Sequence, residues 1–443
     1  MARTAEIKAD LHMKLNLREK LQGLNQSSPF LKHILTLVSG TAGAQIVVFL
    51  MTMVITRLFT RETLGELGVY NSIVAALALI AAGRYDLAVI LEAEDGNAKN
   101  TFCLAFRLIL CVSVSATLLG LALKGVARYY YSEAVASALP LVGVTVLFLS
   151  GAALLQFWYN RKSDYKTIAM NRVQQQIGAS GGQVAFGFAG ITNLLGLWGG
   201  QTLGQAFAFF NLGIRAKDLR TIDTSNSMGM LELAKKHWKM PVLNGPNAFV
   251  DALRNLGIPA LIGAVSLGSL GEYKIAEAVV MVPVGLFTGA ISQVFFQKLS
   301  QVPAGQMLKE ISKAIRGAFL VGILPFTLLY ILAPWLVPLL FGQHLTEAGY
   351  FVQALIPWLF MTLMTSPISN MFIVTGTQSW LLGFAVVYTV APLSWLYFSP
   401  YALLPTVYIL GAIMGVCLVG MLVLALLAAR KYDRSASEGV TNN

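Results

Sequence analysis

Twelve runs of roughly 20 apolar residues follow one another along this chain, and each is long enough to cross a bilayer as a helix. They lie at about 34–56, 65–83, 101–123, 137–158, 167–189, 192–213, 240–262, 274–297, 317–340, 348–373, 379–398 and 403–429. In lipid no water completes an open backbone, so a spanning segment closes its hydrogen bonds as a helix or joins a closed barrel. A barrel needs alternating strands of about ten residues; these runs are too long and too uniformly apolar for that. Pro283, Pro325, Pro357, Pro367 and Pro392 fall inside the runs, where neighbouring helices can re-satisfy the freed backbone. Charged residues are 12% of the 443, well under the roughly 25–35% that a water-facing surface carries. The expected fold class is an all-α membrane protein.

The net charge of +11 raises the question of nucleic acid, but the placement of the charges argues against it. They sit in short clusters between apolar runs, with no basic stripe interleaved with aromatics. Of the 32 Lys and Arg, 26 fall in the tails and loops that share a side with the N-terminus, and five fall on the other side. By the positive-inside rule both termini are expected in the cytoplasm. Cys103, Cys111 and Cys417 lie inside apolar runs, and His12, His33, His237 and His344 are scattered, so no metal pattern emerges. The basic N-terminal stretch lacks the apolar core of a signal peptide. Ile7, Leu11 and Leu15 among its Lys and Arg permit a short interfacial helix.

The longest interior polar stretch, 214–239, splits the chain into two sets of six spans. Leu64-Gly65-Glu66-Leu67-Gly68-Val69-Tyr70 is answered 203 residues later by Leu267-Gly268-Ser269-Leu270-Gly271-Glu272-Tyr273, with five of seven positions identical. The match falls after the first span of each half. Six spans per half give both halves the same orientation, so the repeats are parallel, with a central cavity expected between the two six-helix lobes. The expected plan is a cytoplasmic tail over 1–33, an N-lobe over 34–213, a cytoplasmic linker over 214–239, a C-lobe over 240–429 and a cytoplasmic tail over 430–443.

Ionisable groups deep in a span each cost roughly 2.5–3.5 kcal/mol on insertion scales and face the interior or a cavity. Asp251 and Arg254 lie near the middle of the seventh run, on one helix face. They read either as a mutually neutralising pair or as a cavity site for a coupling cation and an anionic group. Arg57 closes the first run, and Arg84 and Asp86 close the second; such terminal arginines can also snorkel to headgroups. Amides are numerous in the runs, among them Gln45, Gln174, Gln183, Gln201, Asn244, Asn247, Asn255 and Asn370. They serve as interhelical glue or as the wall of a sugar-sized polar cavity. Those on the first and seventh runs, which begin the two lobes, are the better cavity candidates.

Four stretches resemble the polysaccharide-exporting flippases, the Wzx-type O-antigen and exopolysaccharide translocases of the multidrug/oligosaccharidyl-lipid/polysaccharide exporter superfamily. They are Ser39-Gly40 to Gln45 continuing through Thr56-Arg57-Leu58-Phe59-Thr60 to Tyr70; Arg84-Tyr85-Asp86-Leu87-Ala88-Val89-Ile90-Leu91; Asn193 to Gln201; and Gly271-Glu272-Tyr273 through Pro283 to Phe296. The resemblance implies two six-helix lobes in a V and no enzymatic activity. It also implies an undecaprenyl-diphosphate-linked oligosaccharide as substrate, moved from the cytoplasmic to the periplasmic leaflet of a bacterial inner membrane. It suits Arg57, Arg84 and Arg254, with Gln45, Asn244 and Asn247, as substrate contacts. Asp251 and Asp86 are then the candidates for a coupling Na+ or H+, with no other cofactor expected. Membrane lipids, a polysaccharide polymerase and a chain-length regulator are the partners it suggests. Multidrug extruders of the superfamily carry a Pro and an Asp early in the first helix, and the 34–56 run has neither. A cation-coupled small-molecule antiporter and a membrane enzyme of the same pathway are the alternatives. The enzyme reading wants a large outer loop with catalytic groups, and the outer loops here are short.

Overall fold

The computed structural model describes residues 45, 47–299, 302, 305–368, 371–375 and 377–441. The N-terminal tail, most of the first predicted span and Asn370 lie outside them. Among the described residues the secondary structure is entirely helical. Twelve long helices succeed one another: α1 (Val47–Leu58), α2 (Arg61–Ala81), α3 (Asp95–Ala122), α4 (Glu133–Arg161), α5 (Tyr165–Phe188), α6 (Leu194–Arg215), α7 (Gly245–Val265), α8 (Leu267–Leu299), α9 (Met307–Phe341), α10 (Ala348–Thr365), α11 (Gln378–Phe398) and α12 (Leu403–Thr441). Eight of them are apolar over a full spanning length.

Two boundaries differ from the hydropathy reading in a way that bears on function. α2 begins at Arg61 and α8 at Leu267, so both copies of the repeated string lie in the opening turns of helices rather than at loop edges. Thr60 starts α2 by accepting the Thr63 N–H at 3.2 Å, and Glu62 in the first turn suits the positive end of the helix dipole. Capping and dipole act on polar residues, which a hydropathy window discounts.

The repeat is structural as well as textual. The Tyr70 hydroxyl bonds Thr145 Oγ1 of α4 at 2.7 Å and accepts Trp198 Nε1–H of α6 at 2.9 Å. Its counterpart Tyr273 is fully buried and meets Phe351 of α10 edge-on, with ring centroids 6.3 Å apart. Each tyrosine therefore anchors the second helix of its lobe against the fourth.

The linker belongs physically to the N-lobe. Trp158 Nε1–H donates to Asp218 at 2.9 Å, and Lys162 pairs with the same carboxylate. Asn97 and Asn100 of α3 hold the backbone of Met228 at 2.8 and 2.9 Å. Leu233 is fully buried, and the buried Glu92 carboxylate pairs with Lys236 at 2.8 Å and with His237. Burial pushes the Glu92 carboxyl up, but the hydrogen bonds and charges of Lys236 and His237 outweigh it and leave it below its ordinary value. Its contribution to linker docking is therefore present at neutral pH and is lost as pH falls through that lowered value. Glu92→Gln is expected to weaken docking by about 2 kcal/mol, read as faster amide exchange across 216–239. Unchanged protection would mean that Leu233 burial alone holds the segment.

Candidate functional site

A cavity of about 530 Å³ lies between the lobes. α1, α2 and α5 wall it on one side, and α7, α8 and α10 on the other. The two walls differ in chemistry. The N-lobe contributes neutral polar groups, Thr52, Asn71, Ser72 and Gln183, whereas the C-lobe contributes Arg254, Asn255, Lys274 and Glu277. Among the described residues, all the lining charge is thus on one wall.

Each lining cation is held by a carboxylate three residues away on its own helix. Arg254 Nη2 lies 2.8 Å from Asp251 Oδ1, and Lys274 Nζ lies 2.8 Å from Glu277 Oε2. Three residues is nearly one helical turn, so these pairs form without help from another helix. Arg254 is additionally fixed by tertiary packing: its guanidinium sits 4.5 Å over the Tyr388 ring, and the Tyr388 hydroxyl accepts Trp358 Nε1–H at 2.5 Å. The Arg254 side chain is only 13% exposed while Asp251 is 45% exposed. The cation is the packed member of the pair and the carboxylate the open one.

On the facing wall Asn71 and Gln201 exchange two hydrogen bonds, at 3.0 and 2.8 Å. Gln183 donates to the Leu197 carbonyl at 3.1 Å. Each of these amides keeps unused capacity, because a carboxamide carries two donors and two acceptor lone pairs.

The other sequence candidates are distributed around this cavity. Arg57 donates to the carbonyls of Met53 at 3.0 Å and Leu339 at 3.3 Å, stitching α1 to α9 across the lobes. Arg84 and Asp86 lie at the linker end of α2, where Gly83 and Arg84 both adopt positive φ, 56° and 62°. Arg84 Nε and Asp86 Oδ1 are buried there with no hydrogen-bond partner, and the intervening Tyr85 hydroxyl donates to the linker carbonyl of Ala234 at 3.3 Å. Gln45 precedes α1, and Asn244 ends the π-turn over Met240–Asn244 that precedes α7. Asn247, in the first turn of α7, has a buried Oδ1 with no partner. Among the described side chains, Arg57, Arg84, Asp86, Gln45 and Asn247 do not line the cavity described above. Lys274, Glu277, Asn71 and Tyr388 are the groups that sequence reasoning passed over. The signal for one pair was present: Lys274 and Glu277 repeat the i,i+3 spacing of Asp251 and Arg254.

The described fold is similar to solved transporters at low sequence identity. An inward-facing multidrug-resistance MATE family transporter of the MOP superfamily aligns with TM-score 0.63 and 14% identity, over 90% of this chain and 99% of that one. The lipid II flippase MurJ, in an inward closed conformation, aligns with TM-score 0.66 and 13% identity, over 90% of each chain. An outward-facing MATE family transporter aligns with TM-score 0.58 and 15% identity, over 92% and 96%. A search of curated proteins by sequence finds no match. The shared fold is the twelve-helix, two-lobe arrangement expected from the hydropathy pattern. A family model described as polysaccharide biosynthesis protein matches residues 54–349, a span that takes in both copies of the repeated string and every charged group on the cavity wall, and the chain belongs to that family.

Proposed function

We propose that this membrane protein moves undecaprenyl-diphosphate-linked oligosaccharide repeat units from the cytoplasmic to the periplasmic leaflet by alternating access between its lobes. The observation that carries this reading is the interlobe cavity with amides on one wall and two cations on the other. A diphosphate-sugar headgroup cannot cross hydrocarbon without replacing its lost hydration. Asn71, Gln183 and Asn255 suit sugar hydroxyls, while Arg254 and Lys274 suit a diphosphate, which favours charge-assisted donors. A cavity of about 530 Å³ is within the usual range for ligand sites. Asp251 and Glu277, released when an anion takes over their cations, are the groups for a coupling Na+ or H+. A polymerase and a chain-length regulator would receive the product.

The test is reconstitution in vesicles with a fluorescent lipid-linked oligosaccharide. Faster appearance of its sugar in the opposite leaflet, accessible to a glycosidase, is the expected result. Export of small cationic molecules under an ion gradient, without movement of the lipid, would favour the antiporter reading instead. Orientation is tested separately with an impermeant thiol reagent on intact cells lacking the outer membrane. A cysteine at Gln343 is expected to react and one at Asn226 to stay protected; the reverse would invert the topology.

A further inference from the structure

We infer that the duplicated Leu-Gly-x-Leu-Gly string is itself the gate that closes the cavity on the face opposite the linker. The inference rests on the alternating-access reading above. The two copies pack against each other where α2 crosses α8. A methyl group placed on Gly65 would lie 1.8 Å from the carbonyl oxygen of Leu267, and one on Gly271 would lie 2.0 Å from that of Arg61. Leu267 and Arg61 are the first residues of α8 and α2, each four before the glycine of its own helix. Each helix thus seats its opening turn on the bare backbone of the other. Small residues allow membrane helices to approach this closely, and no larger side chain fits without separating the lobes.

An ion pair closes the same crossing. Glu272 is fully buried, and its carboxylate accepts Arg61 Nη1–H from the other lobe at 3.2 Å and the Glu347 backbone N–H at 2.6 Å. Its cationic partner is therefore supplied across the interface. If the lobes part here, Arg61 keeps Glu62, 3.0 Å away on its own helix, while Glu272 is left with a backbone donor alone. The gate also touches the cavity, because a methyl on Gly68 would meet the Lys274 stem at 3.1 Å. Drawing the Lys274 ammonium from Glu277 to a bound anion moves a side chain that rests on the crossing.

The experiment uses the full chain in native membranes, with Cys103, Cys111 and Cys417 replaced and a reporter cysteine at Ser72 on the cavity wall. Labelling by an impermeant thiol reagent from the face opposite the linker reads the gate. Gly65→Ala and Gly271→Ala are expected to raise that labelling roughly tenfold or more, since overpacking a close contact shifts the lobes apart. Gly181→Ala and Gly383→Ala serve as controls, because a methyl there meets nothing within 4 Å. Glu272→Gln and Arg61→Gln are each expected to raise labelling, and the two together to raise it no further than the larger single change, since both remove the same ion pair. Parental labelling in both crossing variants at normal abundance, or an equal rise in the controls, would overturn the gate. Fully additive rises in the double variant would remove the latch. Labelling reports the gate whatever the cargo, so a gate that moves in a protein that translocates no lipid-linked sugar would sink the flippase reading alone.

Discussion

Arg254→Ala combined with Lys274→Ala is expected to abolish translocation while lowering the abundance of the protein in the membrane only modestly. Both cations line the C-lobe wall, and each is neutralised only by a carboxylate on its own helix. An anionic headgroup would therefore take them over without breaking any ion pair between the lobes. Losing one charged partner of a bound anion costs about 2–5 kcal/mol, so each single variant should fall by roughly thirtyfold or more in the rate at limiting substrate. Arg254→Lys should retain part of the activity: the charge survives, but the planar two-point donor and its stacking on Tyr388 do not. The measurement is accumulation of lipid-linked repeat units in a strain dependent on this protein, read beside its abundance. Full activity of the double alanine variant would show that the cavity cations do not hold the substrate.

Removing the partners of the Asp251–Arg254 pair one at a time should give unequal results. Asp251→Asn strands a guanidinium that is only 13% exposed, and an unpaired buried charge costs about 3 kcal/mol or more. Arg254→Gln leaves a carboxylate that is 45% exposed and can keep water around it, so its penalty should be smaller. Abundance is expected to drop clearly for Asp251→Asn, modestly for Arg254→Gln, and to recover in the double variant. Translocation then separates two roles. If Asp251 carries a coupling cation, the recovered double variant should stay inactive even with substrate in excess, because Asn exchanges no charge. A double variant with parental turnover and parental dependence on the ion gradient would exclude Asp251 from coupling. The comparison needs both readouts, since abundance alone reports only the electrostatics of the pair.

The candidate site was legible where the chemistry is local. Asp251 and Arg254 are three residues apart in an apolar run, so the helical period alone places them on one face, and the ion pair at 2.8 Å follows. Lys274 and Glu277 obey the same rule, but Lys274 opens the eighth run, 274–297, and counts among the loop cations of the orientation rule, while Glu277 draws no separate reading. Arg57 reads from the sequence first as a snorkelling residue and then as a ligand, and its hydrogen bond to Leu339, 282 residues away, could not be inferred from either. The amides divided in a way that composition does not reveal: Gln183 and Asn255 reach the cavity, whereas Gln174 is occupied with Asn211 at 2.9 Å.

The sequence by itself determined the helical class, the succession of spans and the two-fold repeat. Lipid leaves a spanning backbone no partner but itself, so length and apolarity of each run decide its structure one segment at a time. Only the tertiary structure decided that both copies of the repeat meet at one crossing, that the linker rides on the N-lobe, and that cations face amides across a cavity. Those outcomes depend on how each helix is rotated about its own axis and which lobe it meets. Rotation and pairing are set by packing between residues some 200 positions apart, such as Gly65 against Leu267, and hydropathy, which is summed along the chain, does not encode them.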